Sequence, residues 1–128
     1  MIDMATPGDY RIHADVKFGF GQLIDVPQIV KACKDKWFNQ TLCEVNECVV
    51  RLGIVEGEFH WHTHDDEDEF FFVLDGKLII DLDGETVALG PQQGYTVARG
   101  TRHRTRAKEK TMMLMVEKST VVPTGDNV

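Results

Sequence analysis

The chain predicts an all-β fold, a sandwich or barrel with one short helix near its N-terminus, on three observations. After Trp37 the sequence breaks into short apolar runs separated by turn residues roughly every 8 to 12 positions. Two of the breaks, Asp75-Gly76 and Asp83-Gly84, are preferred two-residue hairpin turns. Only residues 25–36, "DVPQIVKACKDK", carry helix signals.

Taken in order, residues 1–20 are rich in Gly, Asp and Pro and read as an extended arm. In the helix, Asp25 can cap the first turn, Pro27 suits it, and Ile29, Val30 and Cys33 share a face. "TLCEV" and "CVVRLGIV" flank Asn46-Glu47 as paired strands. "EFFFVL" and "KLIIDL" flank Asp75-Gly76, and "KLIIDL" and "ETVAL" flank Asp83-Gly84. "YTVA" follows Gly94, "HRTRA" follows Gly100, and "TMMLMVEK" supplies a last strand. Consecutive hairpins imply antiparallel sheet. The expected organisation is an arm and helix over 1–36, a β-domain over 37–120 and a tail over 121–128.

Composition narrows the partners. At 128 residues the chain is one domain's worth, with ordinary hydrophobic (42%) and charged (27%) content. A formal charge of −7 argues against nucleic acid or an anionic membrane, which both attract cationic surfaces. No apolar stretch approaches the roughly 20 residues of a membrane span. The N-terminus has no basic-then-apolar leader, so export is not expected. Cys33, Cys43 and Cys48 form no Cys-x-x-Cys pair and read as buried, reduced thiols of a cytoplasmic protein.

The chemistry concentrates in "EGEFHWHTHDDEDEFFFVLDG", residues 56–76, which holds three of the five histidines. In an extended chain alternate side chains share a face, so His60, His62 and His64 can line one side. Imidazoles on one face, joined by a nearby carboxylate, can ligate a divalent metal. Five acids follow the histidines. Glu69 opens the next strand in phase with Phe71 and Val73, whereas Asp65, Asp66, Glu67 and Asp68 fall in the connection and are expected to face water. The remaining histidine of the N-terminal half, His13, lies in the arm and is expected to be solvated.

"HTHDDEDEFFFVLDG" resembles the first motif of the cupin superfamily: His-x-His, four residues, Glu, six residues, Gly, matched by His62, His64, Glu69 and Gly76. "GYTVARGTRHRTRA" resembles the second motif, with Gly94, Gly100 and His103 in place and departures at Ala98 and Ala107. The likeness spans about residues 45–117 and is to the small single-domain type. It implies a jelly-roll (double-stranded β-helix) barrel in which His62, His64, Glu69 and His103 hold one metal ion. Three imidazoles and a carboxylate suit Fe, Mn, Zn, Ni or Cu.

Several expectations follow from that barrel. If His103 faces inward, so does Thr105, and Phe71, Val73, Leu78, Ile80 and Thr105 line the pocket. Arg102, Arg104 and Arg106 then face out as a mainly solvated surface, while Arg99 or Arg102 at the mouth can orient an anionic small molecule. His60, Tyr95 and Glu58 are candidates for an additional acid or base. Phe70, Phe72, Met112 and Leu114 point away from the barrel interior, and homodimerisation, common among proteins of this type, would cover them. An arm laid across the partner's sheet would fit that dimer. The functional expectation is a metal-dependent oxygenase, isomerase, epimerase or lyase of small-molecule metabolism; the competing one is a non-catalytic ligand-binding or sensor protein.

Overall fold

The computed structural model describes residues 10–126. The expected arm over 1–20 therefore falls partly outside the described residues, as do the last two positions of the tail.

The described chain runs through a short strand β1 (Arg11–His13), a helix α1 (Val26–Ala32) and seven further strands. These are β2 (Trp37–Val45), β3 (Cys48–Glu58), β4 (Glu69–Asp75), β5 (Leu78–Leu82), β6 (Glu85–Leu89), β7 (Gly94–Val97) and β8 (His103–Lys118). β2 and β3 form a hairpin with Val45 opposite Cys48 and Asn46 in the left-handed region (φ 52°). β5 and β6 form the second expected hairpin, closing Leu82 on Glu85 across Asp83-Gly84. β1 pairs in parallel with this chain's own β2, from Arg11 opposite Phe38 to His13 opposite Gln40.

Two expectations are corrected. "HRTRA" and "TMMLMVEK" are one strand of 16 residues, because the exposed "KEK" between them carries no breaker. β4 and β5 do not form a hairpin. β8 keeps β3 on one side from Arg106 to Lys118, while β5 pairs with its first part (His103–Arg106) and β4 with its second (Met112–Glu117). Asp75-Gly76 is thus the corner between two strands laid end to end along β8. Gly76 sits there at φ 94°, and a Cβ on it would lie 2.5 Å from Thr111 Oγ1 and 2.9 Å from Thr111 Cα. Only glycine satisfies both constraints.

Alternation sorts the side chains. Glu69, Phe71 and Val73 of β4 are buried, while Phe70, Phe72 and Leu74 between them are half-buried on the other face. The barrel interior packs Trp37, Val55, Phe71, Val73, Leu78, Ile80, Leu89, Val97, Met113 and Met115. A second cluster lies outside the sheet, where Leu42, Leu52 and Ile54 are covered by Val26, Ile29, Val30 and Cys33. The helix that does this is shorter than expected. Asp25 Oδ1 accepts from the Gln28 amide at 3.2 Å, Pro27 occupies the first turn, and the Cys33 N–H closes on the Ile29 and Val30 carbonyls. Leu42 is in phase with Phe38 on that outer face, and the register of β2 shifts between Thr41 and Cys43 beside it. Leu74, Met112 and Leu114 pack against the same cluster, so this chain itself partly covers two residues expected at a dimer contact. The three cysteines are free thiols and half-buried rather than buried.

Candidate metal centre

Residues 59–64 run antiparallel to the start of β8. Phe59 N donates to Thr105 O (2.9 Å), His62 and His103 exchange both backbone hydrogen bonds (2.9 and 3.0 Å), and Gly100 N donates to His64 O (2.8 Å). This ladder puts His62 directly across from His103 and carries His64 toward Glu69 at the head of β4. The ligating atoms of His62, His64, Glu69 and His103 all lie within 4.8 Å of one another, and all four residues are buried.

The ring orientations are set by hydrogen bonds behind the cluster. His62 Nδ1 is 2.9 Å from His60 O, and His103 Nδ1 is 2.9 Å from Thr101 O. A carbonyl only accepts, so both Nδ1 atoms carry the proton, which in a neutral ring leaves Nε2 to present a lone pair. Glu69 Oε1 lies 3.3 Å from His103 Nε2 and 3.4 Å from His64 Nε2. Neither His64 nitrogen makes a hydrogen bond of good geometry among the described residues. Imidazole nitrogens and a carboxylate therefore converge in a buried volume, an arrangement that protons or one cation must reconcile. Burial, reinforced by His103, pushes the His62 imidazole down to about 3, so it is neutral near pH 7. Burial also opposes charge on Glu69, yet the His103 and His64 contacts outweigh it and hold the carboxyl below the usual range. Burial opposes charge on His64 as well, but Glu69 raises it overall. Neutral imidazole beside ionised carboxylate is the donor set that a borderline divalent transition ion takes. The residues fit such an ion.

Behind Glu69 stands a carboxyl that the sequence reading missed. Glu117 is the cross-strand partner of Glu69 on β8 and is 4% exposed. Burial, then the Glu69 charge, push it well above the ordinary carboxylate range, against the opposing pull of Arg51. Arg51 Nη1 is 3.9 Å from Glu117 Oε2 and donates to Val121 O at 3.4 Å. The available signal was phase: Glu117 shares the parity of the inward residues Met113 and Met115.

A cavity of about 50 Å3, partly open to solvent, adjoins the cluster, with His62 and Glu69 in its wall. Of the expected lining residues, Phe71 and Thr105 face it. Val73, Leu78 and Ile80 do not; they are fully buried in the core cluster with Leu89, Val97 and Ala107. Tyr10, Trp37, Phe59, Met113, Met115 and Pro123 supply much of the wall instead. They come from the arm, the far strands and the tail, which local pattern does not connect.

The acid–base candidates lie elsewhere. His60 is occupied on both sides: Tyr10 O–H donates to its Nδ1 (2.9 Å) and its Nε2–H to Thr124 O (2.6 Å). Glu58 accepts from Arg104 Nη1 at 3.0 Å on the outer face. Tyr95 packs against the core and is absent from the cavity wall. The basic cluster is also more than a solvated face. Arg104 and Arg106 clamp the buried Asp81 at 2.9 and 2.7 Å. Arg102 stacks over Trp61, and Arg99 is 3.7 Å from Asp68, so neither reaches the cavity. His13 is exposed, with its ring 5.3 Å from that of Phe38.

The tail closes over the site. Thr124 O holds His60, Asp126 N donates to Thr63 O (2.8 Å), and Asp65 N donates to Asp126 Oδ2 (2.9 Å). Gly125, at φ 92°, lies so close to the His62 side chain that a Cβ would collide with it.

Comparison with known proteins agrees with this geometry. The cupin domain family pattern matches residues 49–117, which include the whole cluster. The uncharacterized protein YdbB of Bacillus subtilis (strain 168) is 43% identical over 90 residues, 70% of this chain and 80% of that protein. A protein of Streptomyces cyaneus named polyketide synthase CurC is 44% identical over 45 residues, 35% of this chain and 29% of that one. Among solved structures, a cupin-2 domain containing protein from Shewanella frigidimarina superposes with a TM-score of 0.72 at 30% identity, covering 75% of this chain and 94% of its own. With its barrel topology, its buried histidine–glutamate cluster and these matches, the chain belongs to the cupin superfamily.

Proposed function

We propose that this chain is a metal-dependent enzyme acting on a small molecule, as a dioxygenase or as an isomerase, epimerase or lyase. His62, His64, Glu69 and His103 would hold one Fe, Mn, Zn, Ni or Cu ion. The observation that carries the reading is that His62 and Glu69 belong to both the cluster and the cavity wall, so a molecule in the cavity would meet the ion. Bound there, the ion supplies Lewis acidity and coordination positions that four protein ligands leave open. The chain's own part is to aim the two Nε2 lone pairs through backbone carbonyls, and to exclude water with Tyr10, Trp37, Phe59 and Phe71. The partial likeness to a protein named for polyketide synthesis supports small-molecule chemistry.

A second reading, binding or sensing without turnover, is favoured by one observation: His60, Tyr95 and Glu58 are all turned away from the cavity. Elemental analysis followed by oxygen uptake and product analysis on the metal-loaded chain separates the two. About one ion per chain with turnover supports the enzyme; one ion with ligand binding and no turnover supports the sensor. No retained transition metal contradicts both.

The homodimer belongs here as well. Phe70 and Phe72 stack at 6.3 Å on the outer face of β4, near the exposed Val116, and lie outside the cluster that α1 covers. Cytoplasmic location is likewise proposed, on the free thiols alone. Sedimentation at micromolar concentration tests the dimer, and a clean monomer of 14.5 kDa would refute it.

A further inference from the structure

We infer that Glu67 is a positioning residue of the metal centre: its carboxylate accepts the Nδ1 proton of His64 and so aims the His64 Nε2 lone pair at the ion. The inference rests on the proposed metal site and deepens it, because it gives the third imidazole a partner of different chemistry from the other two.

A neutral imidazole that ligates through one nitrogen carries its proton on the other, and that proton needs an acceptor. His62 and His103 meet the need with backbone, their Nδ1 atoms each 2.9 Å from a carbonyl oxygen, of His60 and Thr101. His64 does not. Its Nε2 is the nitrogen turned to Glu69, at 3.4 Å. Its Nδ1 has no hydrogen-bond partner among the described residues, in a side chain only 2% exposed. What stands beside this ring is carboxylate: His64, Glu67 and Asp126 bring ligating atoms within 4.8 Å of one another. The loop that carries Glu67 and the tail that carries Asp126 thus flank the one cluster histidine without a backbone acceptor.

Of the two acids, Glu67 is the better placed. Its Oε2 is anchored by the Thr120 hydroxyl, which donates at 2.7 Å, while its Oε1 is buried and without a partner. It is half-buried, where the sequence suggested a solvated acid. A buried donor and a buried acceptor therefore lie close together, and each forfeits its hydration until the two meet. Asp126 is exposed, and its Oδ2 already accepts from Asp65 N. A charge-assisted bond is stronger in the drier position. A second cation among the three residues would also satisfy them. It would have to take Nδ1 while the first ion holds Nε2, which strips the ring of its last proton. One retained proton satisfies the same atoms without that loss. An anionic acceptor also makes Nε2 a stronger donor to the ion than a carbonyl acceptor would.

Zinc affinity of the full chain, read by competition with a chromophoric chelator, tests the assignment. Glu67→Gln keeps the shape and removes the charge, and is expected to weaken zinc about 10-fold or more. Asp66→Asn removes the same charge from an exposed neighbour and is expected to cost less than about 2-fold, since water and salt screen it. In the zinc-loaded, 15N-labelled chain the His64 Nδ1 proton is expected as a slowly exchanging downfield resonance that moves upfield in Glu67→Gln. A general loosening of the loop would not confine that change to one ring. Equal losses in Glu67→Gln and Asp66→Asn, a loss in Asp126→Asn with none in Glu67→Gln, or no such resonance in the wild-type chain would each overturn the inference while zinc bound by the wild type leaves the metal site standing. A wild-type chain that holds no zinc overturns both.

Discussion

Replacing Asp81 by Asn tests how the β8 segment bearing His103 is held. Asp81 receives Arg106 Nε at 2.7 Å and Arg106 Nη2 at 3.1 Å, Arg104 Nε at 2.9 Å and Thr86 Oγ1 at 2.9 Å. These contacts, Arg106 foremost, hold its carboxyl at about 2 against an ordinary 3.8. At about 1.4 kcal/mol per pH unit the difference corresponds to about 2.5 kcal/mol. The arginine side chains are 19% and 29% exposed, so screening trims this to about 2 kcal/mol. Because the folded value lies below the unfolded one, the stabilisation is whole above about pH 4 and disappears as pH falls through about 2. Asp81→Asn is therefore expected to lower stability by about 2 kcal/mol at pH 7, a Tm decrease of roughly 6–10 °C for a chain of this size. The gap from wild type should close on acidification toward pH 2. Urea unfolding followed by circular dichroism at pH 7 and at successive lower values measures both. A loss under about 0.5 kcal/mol, or a gap unchanged at the acid end, would refute the argument.

Other outcomes follow from the same geometry. His62→Ala or His64→Ala should remove most bound metal while leaving the β-sheet spectrum intact, whereas Asp66→Ala should leave metal content unchanged; equal loss in all three would show that the wrong residues were assigned. Gly76→Ala combines a positive φ with contact against the Thr111 backbone and should cost at least about 2 kcal/mol in urea unfolding; a loss below about 1 would mean the corner relaxes. Gly125→Ala should lift the tail from His62 and speed extraction of bound metal by a chelator several-fold, and an unchanged extraction rate would show that the tail does not guard the site.

Three of the four cluster residues were legible locally, and His103 came through the resemblance of its segment to the second cupin motif. His62 and His64 sit two apart, Glu69 opens a strand in phase with Phe71, and the turn glycines mark where one strand ends. Alternation also placed Thr105 inside and Arg104 and Arg106 outside, as found. What escaped depends on long-range placement. Asp75-Gly76 looks like a hairpin turn because local sequence shows only the turn, whereas β8 decides which strands meet across it. The cavity wall draws on Tyr10, Trp37, Phe59 and Pro123, whose proximity is set by barrel closure. Val73, Leu78 and Ile80 have the correct inward phase but are wholly enclosed by other core side chains. Inward phase says which face a residue occupies, and nothing about whether neighbouring side chains enclose it.

The central claim is that three imidazoles and one carboxylate of this chain hold a single transition ion beside the cavity. X-ray absorption of the purified chain, reconstituted with zinc and freed of excess metal, tests it most directly. The account predicts one ion per chain whose first coordination shell contains three histidine imidazoles and carboxylate oxygen, with the imidazole signal reduced in His103→Ala. A shell dominated by sulfur or by water oxygen, or a spectrum unchanged in that variant, would contradict it.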